Sequence, residues 1–309
     1  NNGPFFPNST FTNVAPGNYS ILVSDVNGCT ASTSATVATV YTLTASVLSQ
    51  TDVSCHGGAD GSVTVTSTGG VGTFQFSIDG GATWQPDSTF TGLSGGVYTI
   101  TVKDFNGCTD GVTATIVERP ELIATVSAIV NVNCFGASTG AININVTGGD
   151  GNYTYLWSNS SATQNLTNVP AGNYSVQVTD GAGCTATTNG TITQNNELVL
   201  SLEHQINVAC YGDSTGGLDI TVNGGVPAYT YSWSNTATGE DIYGVIAGNY
   251  SLSVTDFAGC SVSAAYNITQ PANLITVTTS VTGVSCPGTN SATATASAVG
   301  GTPPYTYLW

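Results

Sequence analysis

The chain has 309 residues, 18 of them acidic and two basic, for a net charge of −16. With Lys103 and Arg119 as its permanent cations it cannot neutralise a run of phosphates, which excludes nucleic-acid binding and sets it against anionic membrane surfaces. Hydrophobic residues make up 40% of the chain, enough for a core and too many for wholesale disorder, yet no apolar run reaches the ~20 residues of a membrane span.

In chain order, the first predicted element is the phrase APGNYSILVSDVNGCTAS at Ala15–Ser32. It returns loosely at Gly95–Asp110, and closely at Pro170–Thr187 and Ala247–Ser263. Its cysteine falls at Cys29, Cys108, Cys184 and Cys260, in steps of 79, 76 and 76. A second series with the same steps, Cys55, Cys134, Cys210 and Cys286, opens SCHG, NCFG, ACYG and SCPG. Aromatic strings follow at Tyr153–Asn159, Tyr229–Asn235 and Tyr305–Trp309. The repeats predict five segments: a partial copy at 1–40, full copies at 41–119, 120–195 and 196–271, and a partial copy at 272–309. The two partial copies add up to about one repeat. This suggests a window of a longer array, or ends that complement one another between molecules. Lacking an initiator Met and a signal-peptide pattern, the chain reads as an internal or processed piece of a secreted protein.

Each copy reads as β throughout. In NYSVQVTD, Tyr174, Val176 and Val178 share one face, opposite Asn173, Ser175, Gln177 and Thr179. Leu122–Cys134 alternates in the same way, as does GAININVTGG through Ile142, Ile144 and Val146. Glycine pairs and Asp-Gly or Asn-Gly steps punctuate the strands, and no useful helical period occurs. The predicted fold is all-β, a tandem set of immunoglobulin-like sandwiches of ~76 residues in an elongated rod. Tyr19, Tyr98, Tyr174 and Tyr250 stand where a tyrosine corner belongs, and the Trp of YLWSN where such domains bury one. The rival reading of these aromatics is a sugar-stacking stripe.

All eight cysteines are expected in structural disulfides, and two pairings fit. One stays within a repeat: Cys55–Cys108, Cys134–Cys184 and Cys210–Cys260. The other crosses the junction: Cys29–Cys55, Cys108–Cys134, Cys184–Cys210 and Cys260–Cys286. Autonomous domains favour the first, although an immunoglobulin-like path puts its two cysteines toward opposite ends. Zinc would need ligands closer than the 26 residues that separate the nearest cysteines. Asp25, Asp104, Asp180 and Asp256, each four residues before a Cys, suit a turn, with calcium as the rival and the one cofactor considered. His56 and His204 do not recur among the copies, and no base accompanies a serine, so no catalysis is expected.

The run VNCFGASTGAININVTGGDGNYTYLWSN, continued by LTNVPAGNYSVQVTDGAGCTATTNGTITQ, resembles the SprB-type repeat of large Bacteroidetes surface proteins, including a gliding-motility adhesin. The resemblance spans nearly the whole chain. It implies export by the type IX system, an extracellular, cell-surface location and a part in adhesion or gliding. The first full copy departs from the pattern, with FQFSIDGGATW in place of YTYLWSN. The DST triplets resemble the phylum's O-glycan acceptor, making Ser88, Thr89, Ser214 and Thr215 candidates. The expected function is a non-catalytic stalk segment of a secreted adhesin. Its partners would be neighbouring repeats, with extracellular polysaccharide or surface-anchoring and secretion proteins beyond them. The alternative is that the repeats themselves bind polysaccharide or a partner protein.

Overall fold

A computed structural model describes residues 5–39, 41–288 and 290–309. The expected first partial repeat, 1–40, thus has its first four residues and its last outside the described residues. Among the described residues there is no helix. The first partial copy forms β1 (Gly17–Ser24) and β2 (Thr30–Val37). The first full copy forms β3 (Thr44–Thr51), β4 (Gly61–Thr68), β5 (Gln75–Ser77), β6 (Thr89–Leu93), β7 (Gly96–Lys103) and β8 (Thr109–Ile116). The second gives β9 (Ile123–Val130), β10 (Gly140–Thr147), β11 (Tyr153–Trp157), β12 (Leu166–Val169), β13 (Gly172–Asp180) and β14 (Thr185–Ile192). The third gives β15 (Val199–Ile206), β16 (Gly216–Asn223), β17 (Thr230–Trp233), β18 (Ile242–Val245), β19 (Gly248–Thr255) and β20 (Ser261–Ile268). The last partial copy adds β21 (Thr276–Thr282) and β22 (Thr293–Val299).

Every full copy has two three-stranded sheets: β3-β4-β6 with β5-β7-β8, β9-β10-β12 with β11-β13-β14, and β15-β16-β18 with β17-β19-β20. The partial copies are two-stranded hairpins, β1-β2 and β21-β22. The chain divides into two compact units. One holds residues 1–123, 146–153 and 179–186; the other holds 124–145, 154–178 and 187–309. In the first unit both sheets of its full copy feed one core, including Val63 and Val65 of β4, Phe76 of β5, Phe90 of β6 and Ile100 and Val102 of β7. In the second, Leu218, Ile220, Trp233, Ile242, Leu252 and Val254 do the same from β16 to β19. These are the inward positions of the period-two pattern, so alternation alone places the core between two sheets.

Two glycines recur because nothing larger fits. Gly69, Gly148, Gly224 and Gly300 sit at φ of +73°, +81°, +76° and +80°, and a Cβ on any of them would lie within 2.2 Å of a backbone oxygen. A Cβ on Gly61, Gly140 or Gly216 would come within 2.8 Å of Ile116, Ile192 or Ile268, respectively. The first full copy also uses its aromatics differently. Its Trp84 lies outside the core, under the ammonium of Lys103 at 3.9 Å. In the register of β5 on β7, Ile78 falls where β17 places Trp233 on β19, and Ile78 packs on the core there.

Candidate functional site

The hairpin between β7 and β8 ends in Cys108, and its form follows from one carboxylate. Asp104 is buried; its Oδ1 accepts the Cys108 amide at 2.8 Å and its Oδ2 the Val71 amide at 3.0 Å. Asp180 does this for Cys184 at 2.9 Å, Asp256 for Cys260 at 2.8 Å and Asp25 for Cys29 at 2.8 Å. These four aspartates therefore shape the turn that presents each cysteine. Among the described residues, no three His, Cys, Asp or Glu side chains gather in a way that could hold a metal.

Burial pushes the Asp256 carboxyl up, but the amides of Val226, Cys260, Ala258 and Gly259 outweigh it and hold its pKa below the ordinary value. A carboxyl more acidic in the fold than in the unfolded chain contributes stability above pH ~4, which is lost as pH falls through the folded value. Thermal melts from pH 6 to pH 2 are expected to show Tm falling below pH ~4, with a shallower acid limb in Asp256→Asn.

The other cysteine series lies on the connection leading into β4, β10 or β16. The Ser54 amide donates to Asp60 at 3.0 Å and the Ser54 hydroxyl donates to the same carboxylate, which lowers its pKa. In the later copies a glutamine holds this loop: Gly136 donates to Gln194 at 2.9 Å and Gly212 to Gln270 at 2.9 Å.

Neither expected pairing of cysteines occurs. Cys55 is bonded to Cys184 and Cys134 to Cys260, with Cα separations of 5.6 and 5.5 Å, inside the usual range. Each bond joins the loop of one copy to the Asp-shaped hairpin of the next, and each lies within one compact unit. The within-repeat pairing fails on strand length. Val53 donates to the Val117 carbonyl at 3.2 Å, which sets the Cys55 loop at the end of β8, whereas Cys108 directly precedes its start. Eight extended residues separate those ends by roughly 25 Å, against the ~7 Å a disulfide tolerates. The junction pairing fails because Cys55 takes Cys184 and Cys134 takes Cys260, leaving Cys29, Cys108 and Cys210 as exposed thiols. Each bond closes a loop of 126 or 129 residues, and the loops overlap between Cys134 and Cys184. In the chain-entropy model either loop stabilises by about 5 kcal/mol.

The predicted corners and tryptophans have definite places. The hydroxyls of Tyr19, Tyr98, Tyr174 and Tyr250 donate to the carbonyls of Ala15, Ser94, Pro170 and Ile246, each four residues back, at 2.6 to 3.0 Å. Trp157 and Trp233 are buried, their indole N–H groups on the Thr163 and Gly239 carbonyls. Of the triplet candidates, Ser214 and Thr215 are exposed. Ser88 and Thr89 are half-buried, and Thr89 hydrogen-bonds Thr64. His56 pairs with Glu118 at 3.3 Å, and His204 lies on β15.

These paired sheets, cores and cysteine-bearing turns define a tandem array of immunoglobulin-like β-sandwiches. A family model matches the chain four times: the SprB repeat is found at residues 47–83, 126–162, 203–238 and 278–309. No curated protein matches the chain. Similar solved structures include an adhesin, described as Ca2+-stabilized, that helps an Antarctic bacterium reach out and bind ice (20% identity, 82% of this chain, 80% of that one, TM-score 0.37). Another is the three N-terminal domains of the bacteriophage RB49 outer capsid protein Hoc (15%, 74% and 97%, TM-score 0.35). A third is the first five immunoglobulin domains of Sidekick-1 (14%, 82% and 66%, TM-score 0.30).

Proposed function

We propose that this chain is a load-bearing stalk segment of a large secreted surface adhesin, serving attachment or gliding rather than catalysis. One observation carries the reading: disulfides join the first full copy to the second and the second to the third, and their loops overlap, so tension passes through sulfur as well as backbone. Such bonds persist in an oxidising, extracellular setting, consistent with export to the cell surface. A nearly cation-free chain of charge −16 also keeps neighbouring molecules apart. Stretching single oxidised chains tests the reading, because a stalk must surrender far less length than its residue count allows.

One observation favours direct binding by the repeats as the second reading. Phe105 and Phe257 occupy equivalent hairpin tips and stand 76% and 80% exposed, a recurring aromatic open to a sugar face. A glycan array is the test. Signal lost in a Phe105→Ala, Phe257→Ala double variant supports the binding reading, and no signal with the wild-type chain rejects it.

A further inference from the structure

The first full copy carries a groove of about 670 Å³ beside β5 and β7, bordered by Thr73, Phe74, Gln75, Pro86, Lys103 and Phe105. That volume lies within the range of sites that hold small ligands. The strand register sets Lys103 between Gln75 on β5 and Thr109 on β8. In the third copy the same position is Thr255, between Thr230 and Ser261, and in the second it is Thr179. The cation therefore belongs to this copy alone, and it is the one lysine in a chain of net charge −16.

Lys103 is held in an unusual way for a surface cation. Among the described residues no carboxylate pairs with it, and its ammonium stands 3.9 Å from the centre of the Trp84 ring. That ring arrives on the inserted turn, beside Gln85, whose backbone bridges Phe76 of β5. A cation–π contact fixes where the ammonium stands and leaves its N–H donors to an anionic acceptor. The Asp104 carboxylate, which also borders the groove, is buried and taken up by the Val71 and Cys108 amides. Two aromatic rings complete the site: Phe105 is 76% exposed and Phe74 is half-buried. An open ring of this kind is an apolar platform for the face of a sugar. A disulfide at this turn does not close the platform. The equivalent turn of the third copy is bonded through Cys260 to Cys134, and Phe257 at its tip is still 80% exposed.

We infer that this groove binds an acidic sugar, a uronate unit of an extracellular polysaccharide, with Phe105 against the ring and the Lys103 ammonium on its carboxylate. The Gln75 amide, next to Lys103 across the strands, is placed to bond the sugar hydroxyls. The pair Lys103 and Phe105 has Thr255 and Phe257 as its counterpart, so the third copy keeps the aromatic without the charge. At physiological salt the remote carboxylates of the chain are screened beyond about 8 Å, which leaves the local cation to decide. This inference rests on the reading in which the repeats bind directly, and it gives that reading a ligand chemistry. It does not depend on the stalk role.

Calorimetric titration of the full chain with tetragalacturonate, and with its carboxyl-reduced neutral counterpart, is the test. The wild-type chain is expected to bind the acidic probe about tenfold more tightly, the worth of one charge-assisted hydrogen bond. Lys103→Gln should erase that preference, Lys103→Arg should keep it, and Phe105→Ala should weaken binding of both probes. Equal affinity for the two probes, or a preference that survives Lys103→Gln, overturns the inference and leaves the broader binding reading in place. A wild-type chain that binds neither probe also overturns it, and the glycan array then decides the broader reading.

Discussion

Pulled from its ends in oxidising buffer, a single chain is expected to reach about half the full extension it reaches after reduction. Fully unravelled, the reduced chain spans 309 residues, or on the order of 1,000 Å. With both disulfides intact, tension runs to Cys55, crosses to Cys184, returns to Cys134, crosses to Cys260 and continues to the end. That route holds roughly 150 residues, and its middle segment is drawn backwards along the sequence. The oxidised and reduced chains should thus differ by roughly 500 Å, whatever the folded length. Removing one bond alone, as in Cys55→Ser, should restore only about 100 Å, because the remaining bond still bypasses a loop of similar size. Equal extensions with and without reductant would refute both the connectivity and the load-bearing role.

Truncating Trp233 to alanine is expected to unfold the third full copy under conditions where the first remains folded. The indole is buried among Leu218, Ile220, Leu252 and Val254, stands 6.2 Å from the Tyr266 ring and donates to the Gly239 carbonyl at 3.0 Å. Phe/Trp→Ala changes in such cores cost about 3–5 kcal/mol. A sandwich of ~76 residues has little more than that in reserve. The matching change at Trp84 should cost distinctly less, since that ring is half-buried outside the core cluster, beneath the Lys103 ammonium. Denaturant titrations of the two variants measure the contrast, and equal costs would refute the division between core and surface tryptophans.

Much of this architecture was legible in the sequence because a period-two pattern reports burial directly. Val176 and Val178 fell on the inward face of their strand as their spacing required, and the Asp-to-Cys interval marked the turn. The cysteine partners were not legible, since the pairing depends on which end of a sandwich each residue occupies. Strand length was the usable signal. A cysteine before β8 and a loop docked beyond it lie too far apart to bond, so the nearest partner in sequence was the wrong place to look. The first full copy hid its core residue for a different reason. Its inserted turn, in which the Asp79 carboxylate accepts the Thr83 amide at 2.9 Å, carries Trp84 away and leaves Ile78 in its place.

The overlap of the two bonded loops also bears on survival among proteases. A single backbone cut anywhere between Cys55 and Cys260 falls inside at least one closed ring, so the severed pieces stay joined. Only the segments outside that span can be lost to one cleavage. A molecule nicked once inside that span thus remains tethered from end to end.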